Sequence, residues 1–375
     1  MERVLLTDVC NFQYGYAFDS RKFSNEGKVP LVRIRDVVRG YSETYTDEDF
    51  DDNYLVHDGD MLIGMDGEFN IAYWHGGDAA LNQRVCKLVP SDKIDSAYIF
   101  YRMMSVLKQI ESKTPFVTVK HLSAKELNAV YIDLPNISEQ EMQGKKLRYI
   151  DGLIAKNDSK LKIMDILVKS RFIEMFGTLN APSKNYKKAM LKDVCRKITD
   201  GKHGGCTQEK GTSRYFVGAR EIFDDRIHYD TAPEINIDEF EKDYKRCNIE
   251  VGEFIIVNTG ATIGKSAIAT DERTAQTLLQ KSVALLKVKT EILNAVFLKW
   301  CYRLNPQMYL VTGASAQPNL LLSKIKETKI YIPDIDEQEE FAKFVSLTDK
   351  SKLSIQQSIE TLQTLKAKLM QDYFG

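Results

Sequence analysis

Pro135-Asn136-Ile137-Ser138-Glu139-Gln140-Glu141 recurs as Pro333-Asp334-Ile335-Asp336-Glu337-Gln338-Glu339. Each copy leads into a proline-free stretch that closes on Phe-Gly, at Phe176-Gly177 and again at Phe374-Gly375. The interval between phrase and closure is the same in both halves. An internal repeat of this length decides the architecture before any single motif does. Working outward, Leu6-Thr7-Asp8-Val9-Cys10 matches Leu191-Lys192-Asp193-Val194-Cys195, and Gly59-Asp60-Met61-Leu62-Ile63 matches Gly252-Glu253-Phe254-Ile255-Ile256. Asn82-Gln83-Arg84-Val85 has a counterpart in Leu279-Gln280-Lys281-Ser282-Val283. Ile99-Phe100-Tyr101-Arg102 matches Val296-Phe297-Leu298-Lys299, and Val130-Tyr131-Ile132 matches Ile330-Tyr331-Ile332. Strand-like anchors are kept while the segments between them drift, as in two domains that share a scaffold and differ in what they bind.

The expected fold class is α+β: two similar mixed α/β domains joined by two long antiparallel coiled-coil helices. Residues 1–137 form the first domain, 138–177 the first helix, 178–189 a linker containing Ala181-Pro182-Ser183, 190–335 the second domain and 336–375 the second helix. Apolar runs such as Val29–Ile34, Met61–Ile63 and Val130–Leu134 between Gly, Asp and Asn read as strands, and Ala97–Ile110 reads as a helix. Ser138 with Glu141, and Asp336 with Glu339, fit capping boxes, and Gly177 fits a helix stop. Leu147, Ile154, Leu161, Val168 and Met175 fall every seven residues. Phe341, Thr348, Ile355, Leu362 and Leu369 do the same, joined by Ile359. Such narrow stripes suit a coiled-coil seam, with Asn157 fixing its register. Two helices of ~38 residues would pair over ~57 Å, at ~1.5 Å per residue. The alternative is two amphipathic helices, each packed on its own domain. Gly144 and Gly152 weaken the first helix by ~1 kcal/mol each and signal a bend or a close contact.

The 375 residues carry a formal net charge of −1, which argues against a strongly basic nucleic-acid protein but leaves room for local basic faces. Six cysteines show no metal-ligand spacing and read as reduced core thiols. No signal peptide or membrane-length apolar run is seen, so the chain is expected to be soluble and cytoplasmic, with no membrane partner. Gly260-Ala261-Thr262-Ile263-Gly264-Lys265-Ser266 fails as a phosphate loop by one residue and leads into a strand-like run, so it reads as a turn. The acidic tracts Glu43–Asp52 and Glu234–Asp243 read as solvated scaffold, and the five scattered histidines suggest no metal site. No glycine-rich cofactor motif or nuclease pattern is found.

Basic and amide side chains concentrate in loops, where Arg and Lys suit guanine and Asn and Gln suit adenine in the major groove. The candidates for DNA contact are Arg33, Arg35, Asn70, Arg84, Lys120, His121, Lys202, His203, Arg220, Lys265, Lys281, Gln317 and Asn319. Arg33 and Arg35 flank Ile34 on an expected strand and would share a face. These features, with Met65-Asp66-Gly67-Glu68-Phe69-Asn70, Asn82-Gln83-Arg84-Val85-Cys86, Thr259–Lys265 and the helices ending at Gly177 and Gly375, resemble the specificity subunit of Type I restriction–modification systems over the whole chain.

The resemblance implies a non-catalytic reader of double-stranded DNA, each domain taking half of a gapped site. The helices would set the spacing and dock two methyltransferase subunits, with Leu147, Ile154, Leu161, Val168, Met175, Ile355, Ile359, Leu362 and Leu369 as their working residues. It also implies restriction subunits. S-adenosylmethionine, ATP and magnesium would sit on those partners, with no cofactor in this chain. An autonomous nuclease and a coiled-coil adaptor without DNA are the rival readings.

Overall fold

The computed structural model describes residues 2–113, 120–309 and 319–375. The chain divides into two compact units, one made of Met1–Ser159 with Gln356–Gly375, the other of Lys160–Ile355. The first long helix, Ile137–Phe176, starts in the first unit and ends in the second. The second, Ile335–Phe374, does the reverse.

Each unit is built on the same plan. In the first, an antiparallel sheet runs Cys10–Tyr14, Val85–Pro90, Met61–Gly64, Asn70–Tyr73. In the second the order is Cys195–Asp200, Val283–Val288, Phe254–Val257, Ser266–Ile268. The central strands Met61–Gly64 and Phe254–Val257 are buried at every position, as their unbroken apolar runs require. A parallel pair, Val29–Val32 with Ala79–Leu81, corresponds to Tyr215–Val217 with Thr277–Leu279. The strands that precede the long helices, Tyr131–Leu134 and Lys329–Ile332, pair antiparallel with Glu2–Leu5 and Lys187–Met190. A helix packs into each core, Ser96–Lys113 in one and Ala295–Leu304 in the other.

The repeated phrase has a physical cause. Gln140 and Gln338 are buried, at 1% and 0% exposure. The Gln140 amide nitrogen donates to the Pro135 carbonyl at 2.9 Å, and its oxygen accepts from the Asp95 amide at 2.9 Å. Gln338 donates to Pro333 at 2.8 Å and Ile292 at 3.0 Å, and accepts from Asn294 at 2.9 Å. One side chain thus ties the start of a long helix to the start of the core helix beside it. The capping boxes expected at Ser138 and Asp336 are not formed. The long helices begin one residue earlier, and the Asn136 side chain accepts from the Glu139 amide at 3.0 Å. The short polar residue next to the proline wins because the chain already turns there.

The repeated Phe-Gly is equally concrete. Phe176 is buried in the second unit against Phe172, Phe297 and Phe341, with ring centroids 5.0–5.7 Å away. Phe374 is buried in the first unit against Tyr98, at 5.5 Å, and its carbonyl accepts from Arg102 at 2.9 Å. Gly177 adopts a left-handed φ of 72°, and its amide closes the last turn on Ile173.

The heptad stripes face inward. Leu147, Val168, Ile359 and Leu369 are buried, and Ile154, Leu161, Met175, Ile355 and Leu362 are half-buried. Within the first unit, the Asn157 amide donates to Ser358 at 3.4 Å and Lys366 pairs with Asp151 at 2.7 Å. Within the second, Lys352 pairs with Asp165 at 2.6 Å and Arg171 with Glu340 at 2.9 Å. Low numbers meet high ones, so the helical segments pair antiparallel in each unit. Exposed ion pairs of this kind add ~0–1 kcal/mol each and serve register more than strength. All six cysteines are free thiols, five of them buried; burial pushes Cys10 and Cys195 up to about 12. No helix among the described residues is long and apolar enough to cross a membrane.

Two predictions follow from the helix contacts. A Cβ on Gly144 would lie 2.6 Å from the Tyr98 amide nitrogen, whereas one on Gly152 would meet open space. Gly152→Ala should stabilise by up to ~1 kcal/mol through helix propensity, and Gly144→Ala should destabilise; opposite signs in urea melts are the check. Gln338→Ala strands a buried amide and two carbonyls and should cost about 2–4 kcal/mol on the same assay, and Gln140→Ala should behave alike.

Candidate nucleic-acid interface

In each unit four chain segments are tied together by the same backbone bonds. In the first, the Tyr16 amide donates to Leu81 at 2.8 Å and Gln83 donates to Tyr16 at 2.8 Å. Met65 donates to Arg84 at 3.1 Å, and Leu122 to Met65 at 2.7 Å. In the second, Lys202 donates to Leu279 at 2.7 Å and Lys281 to Lys202 at 2.9 Å. Asn258 donates to Ser282 at 2.9 Å, and Leu320 to Asn258 at 2.7 Å. Gly15 and Gly201 sit where the strands cross, and a Cβ at either would strike the carbonyls of residues 81–82 or 279–280.

This frame aligns the two units residue by residue. Asn82, Gln83 and Arg84 occupy the places of Gln280, Lys281 and Ser282, so Arg84 corresponds to Ser282. Bridges Asp66–His121 and Thr259–Asn319 are equivalent. Arg35 and Arg220 also share a place. The amide two residues before each is held by the carboxylate one residue after it, Arg33 by Asp36 at 3.0 Å and Gly218 by Glu221 at 2.8 Å. The strand expected across Arg33 and Arg35 ends instead at Val32, and a short helix, Ile34–Arg39, begins behind Arg33. The two side chains therefore diverge. Arg33 lies over the Phe23 ring, and Arg35 donates to Thr44 at 3.0 Å.

The candidate side chains divide into two groups. Some hold the protein together. Lys120 donates to the Glu111 carbonyl at 2.9 Å, and the Asn70 amide donates to the Glu68 carbonyl at 3.0 Å, closing the turn. Lys202 sits between Asp243 at 2.8 Å and Glu239 at 3.3 Å, which raise its pKa. His203 approaches Asp200 at 3.4 Å, beside Arg246. The acidic tract read as solvated scaffold thus supplies the carboxylates that hold Lys202. Hydrogen bonds from Thr207, with Lys202 behind them, bring Glu239 down to about 2.

The other group points outward. Arg220, Lys265 and Lys281 are exposed and form no ion pair among the described residues. Lys265 ends a turn that closes the hairpin Phe254–Val257 to Ser266–Ile268, with Val257 donating to its carbonyl at 2.8 Å. The exposed Asn319 accepts from Thr259 at 3.2 Å. Arg84 and His121 are about half exposed and meet at Asp66, a residue the sequence reading did not single out. Gln317 lies outside the described residues.

Two domains with one frame and different projecting side chains define a paired recognition protein. The Type I restriction modification DNA specificity domain matches residues 1–163 and 183–365, and the chain belongs to that family. It is 28% identical over 376 residues to the Type I restriction enzyme EcoBI specificity subunit of Escherichia coli, covering 92% of this chain and 78% of that one. It is 23% identical over 182 residues to the MjaVIII specificity subunit of Methanocaldococcus jannaschii, covering 45% and 43%. Its fold is similar to a Type I restriction-modification S subunit from M. genitalium, with TM-score 0.63 at 15% identity over 100% and 96% of the chains. A chain from a type I R-M system solved for its assembly and conformational transition gives TM-score 0.58 at 16% identity over 100% and 97%.

Glu239 supplies a pH test. Its folded pKa lies below the ordinary 4.5, so its stabilisation is complete above that value and is lost as pH falls toward about 2. Glu239→Gln should be less stable than the parent at neutral pH, with the gap closing between pH 4.5 and 2 in denaturant titrations.

Proposed function

We propose that this chain is the sequence-reading subunit of a Type I restriction–modification complex and that each unit reads one half of a gapped site in double-stranded DNA. The observation that carries this is the shared hydrogen-bond frame with different side chains in equivalent places. An identical frame presents each loop set to the groove in the same way, and the differing side chains give each half its own base preference. The exposed cations Arg220, Lys265 and Lys281 suit phosphate contacts that position the frame, although the overall charge is balanced.

The chain is read as non-catalytic. S-adenosylmethionine belongs on two methyltransferase subunits, and ATP with magnesium on restriction subunits, all in the cytoplasm. Leu147, Ile154, Leu362 and Leu369 are taken up in the core of the first unit, and Val168 and Met175 in that of the second. Docking falls instead to the opposite side of the first long helix, where Ile163, Ile166, Leu167 and Ile173 are exposed. At ~100° per residue they turn away from the Leu161–Val168–Met175 stripe, and a row of exposed apolar side chains marks a partner surface. Because both long helices run through both units, they are read as the element that sets the spacing of the half-sites.

The test is exchange. Replacing residues 190–335 by the equivalent region of a relative, with the methyltransferase subunits co-expressed, should change one half of the methylated motif and leave the other and the spacing intact. Sequencing of modified adenines reads the outcome. A change in both halves, or methylation by this chain alone, would overturn the assignment.

A further inference from the structure

In the first unit an arginine, a histidine and a carboxylate meet on the frame itself, where Arg84 follows the bond from Gln83 to Tyr16 and Asp66 and His121 form a bridge. The Asp200, His203 and Arg246 group of the second unit lies beside Lys202, at a different place. The Asp66 carboxylate lies 2.5 Å from His121 Nδ1 and 3.5 Å from Arg84 Nε. Arg84 Nη1 lies 3.3 Å from the same histidine nitrogen. Asp66 is mostly covered, while Arg84 and His121 are about half exposed. The backbone fixes the cluster from three directions. Gly67 donates to Lys120 at 2.9 Å, Leu122 donates to Met65 at 2.7 Å, and Met65 donates to Arg84 at 3.1 Å.

Resting on the reading that each unit meets DNA through its frame, the geometry points to Arg84 as the residue that reads a guanine in one half-site, with Asp66 as its positioning residue. Guanine offers two acceptors, O6 and N7, on its major-groove edge, and a guanidinium offers two parallel donors to match them. With the carboxylate on the Nε side and His121 beside Nη1, the guanidinium still keeps terminal N–H donors for the base. The carboxylate also removes rotamer freedom that a loose arginine would lose on binding. His121 holds the carboxylate in turn.

The second unit shows why the preference belongs to one half only. There the equivalent places hold Thr259, Ser282 and Asn319. Ser282 donates to Gln280 at 3.1 Å, and Thr259 donates to Asn319. No cation stands at these three places, so the second unit has no guanidinium where the first presents Arg84.

The experiment uses the complex of this chain with methyltransferase subunits. A DNA pool randomised over both half-sites is selected and sequenced with the parent protein, Arg84→Lys, Arg84→Ala and Asp66→Asn. The parent should require guanine at one position of one half-site. Arg84→Lys keeps the charge but loses the paired donors. It should reduce the preference for guanine at that position by roughly 5- to 100-fold and leave every other position unchanged.

Arg84→Ala should do the same with weaker overall binding. Asp66→Asn should relax the same position, an effect that general loss of structure would not confine to one base. A guanine preference that survives both Arg84 substitutions overturns the assignment, as does a half-site without guanine. Uniform weakening on all sequences would make Arg84 a phosphate contact and overturn it too. If only Asp66→Asn is silent, the positioning role falls. A parent protein that selects no sequence refutes DNA recognition itself, which is a separate outcome.

Discussion

Neither unit closes its core with its own domain alone. The first needs Leu369 and Phe374, which arrive at the end of the second long helix, and the second needs Val168, Phe172 and Phe176 from the end of the first. A buried phenylalanine is worth ~1.5–3 kcal/mol of transfer free energy, and the cavity it leaves costs more. Each helix is therefore held at both ends by burial: by the glutamine clamp where it starts and by the Phe-Gly anchor where it stops. A helix so held cannot slide by a residue without exposing one of the two. The ion pairs along it then need only to tune register, which suits their small individual contributions.

The same economy appears in the recognition frame. Backbone hydrogen bonds, indifferent to side-chain identity, do the positioning. Gly15 and Gly201 are fixed by close approach, and the amides that bind Tyr16 or Lys202 are fixed by strand pairing. Side chains at residues 66, 84 and 121, or 259, 282 and 319, are left free to differ. A protein whose target must change without refolding needs this separation, since substitutions outside a buried network usually shift stability by no more than ~0.5 kcal/mol.

Charge is distributed by the same logic. The net charge of −1 conceals cations of two kinds. Lys202 and Lys120 are spent on carboxylates or carbonyls inside the protein. Arg220, Lys265 and Lys281 face water. Counting basic residues near loops cannot separate these classes, because the carboxylates that hold Lys202, Glu239 and Asp243, come from a distant segment.

The sequence by itself determined the duplication, the α+β class, the two long helices and the heptad stripes, because periodic burial leaves a periodic trace in residue type. It also showed that Gln140 and Gln338 recur, but not why. Only tertiary structure decided that these glutamines are buried clamps, since their partners Asp95 and Asn294 lie more than forty residues away. It moved each long-helix start one residue earlier, to Ile137 and Ile335, and ended the first domain's strand before Arg33, where the Asp36 carboxylate caps a helix. It paired Arg84 with Ser282, where sequence alone had set the two stretches a residue out of step. Local patterns carry the signal of elements that bury one face. Contacts closed by a single long-range hydrogen bond or ion pair leave no period to read, and the candidate site is made of such contacts.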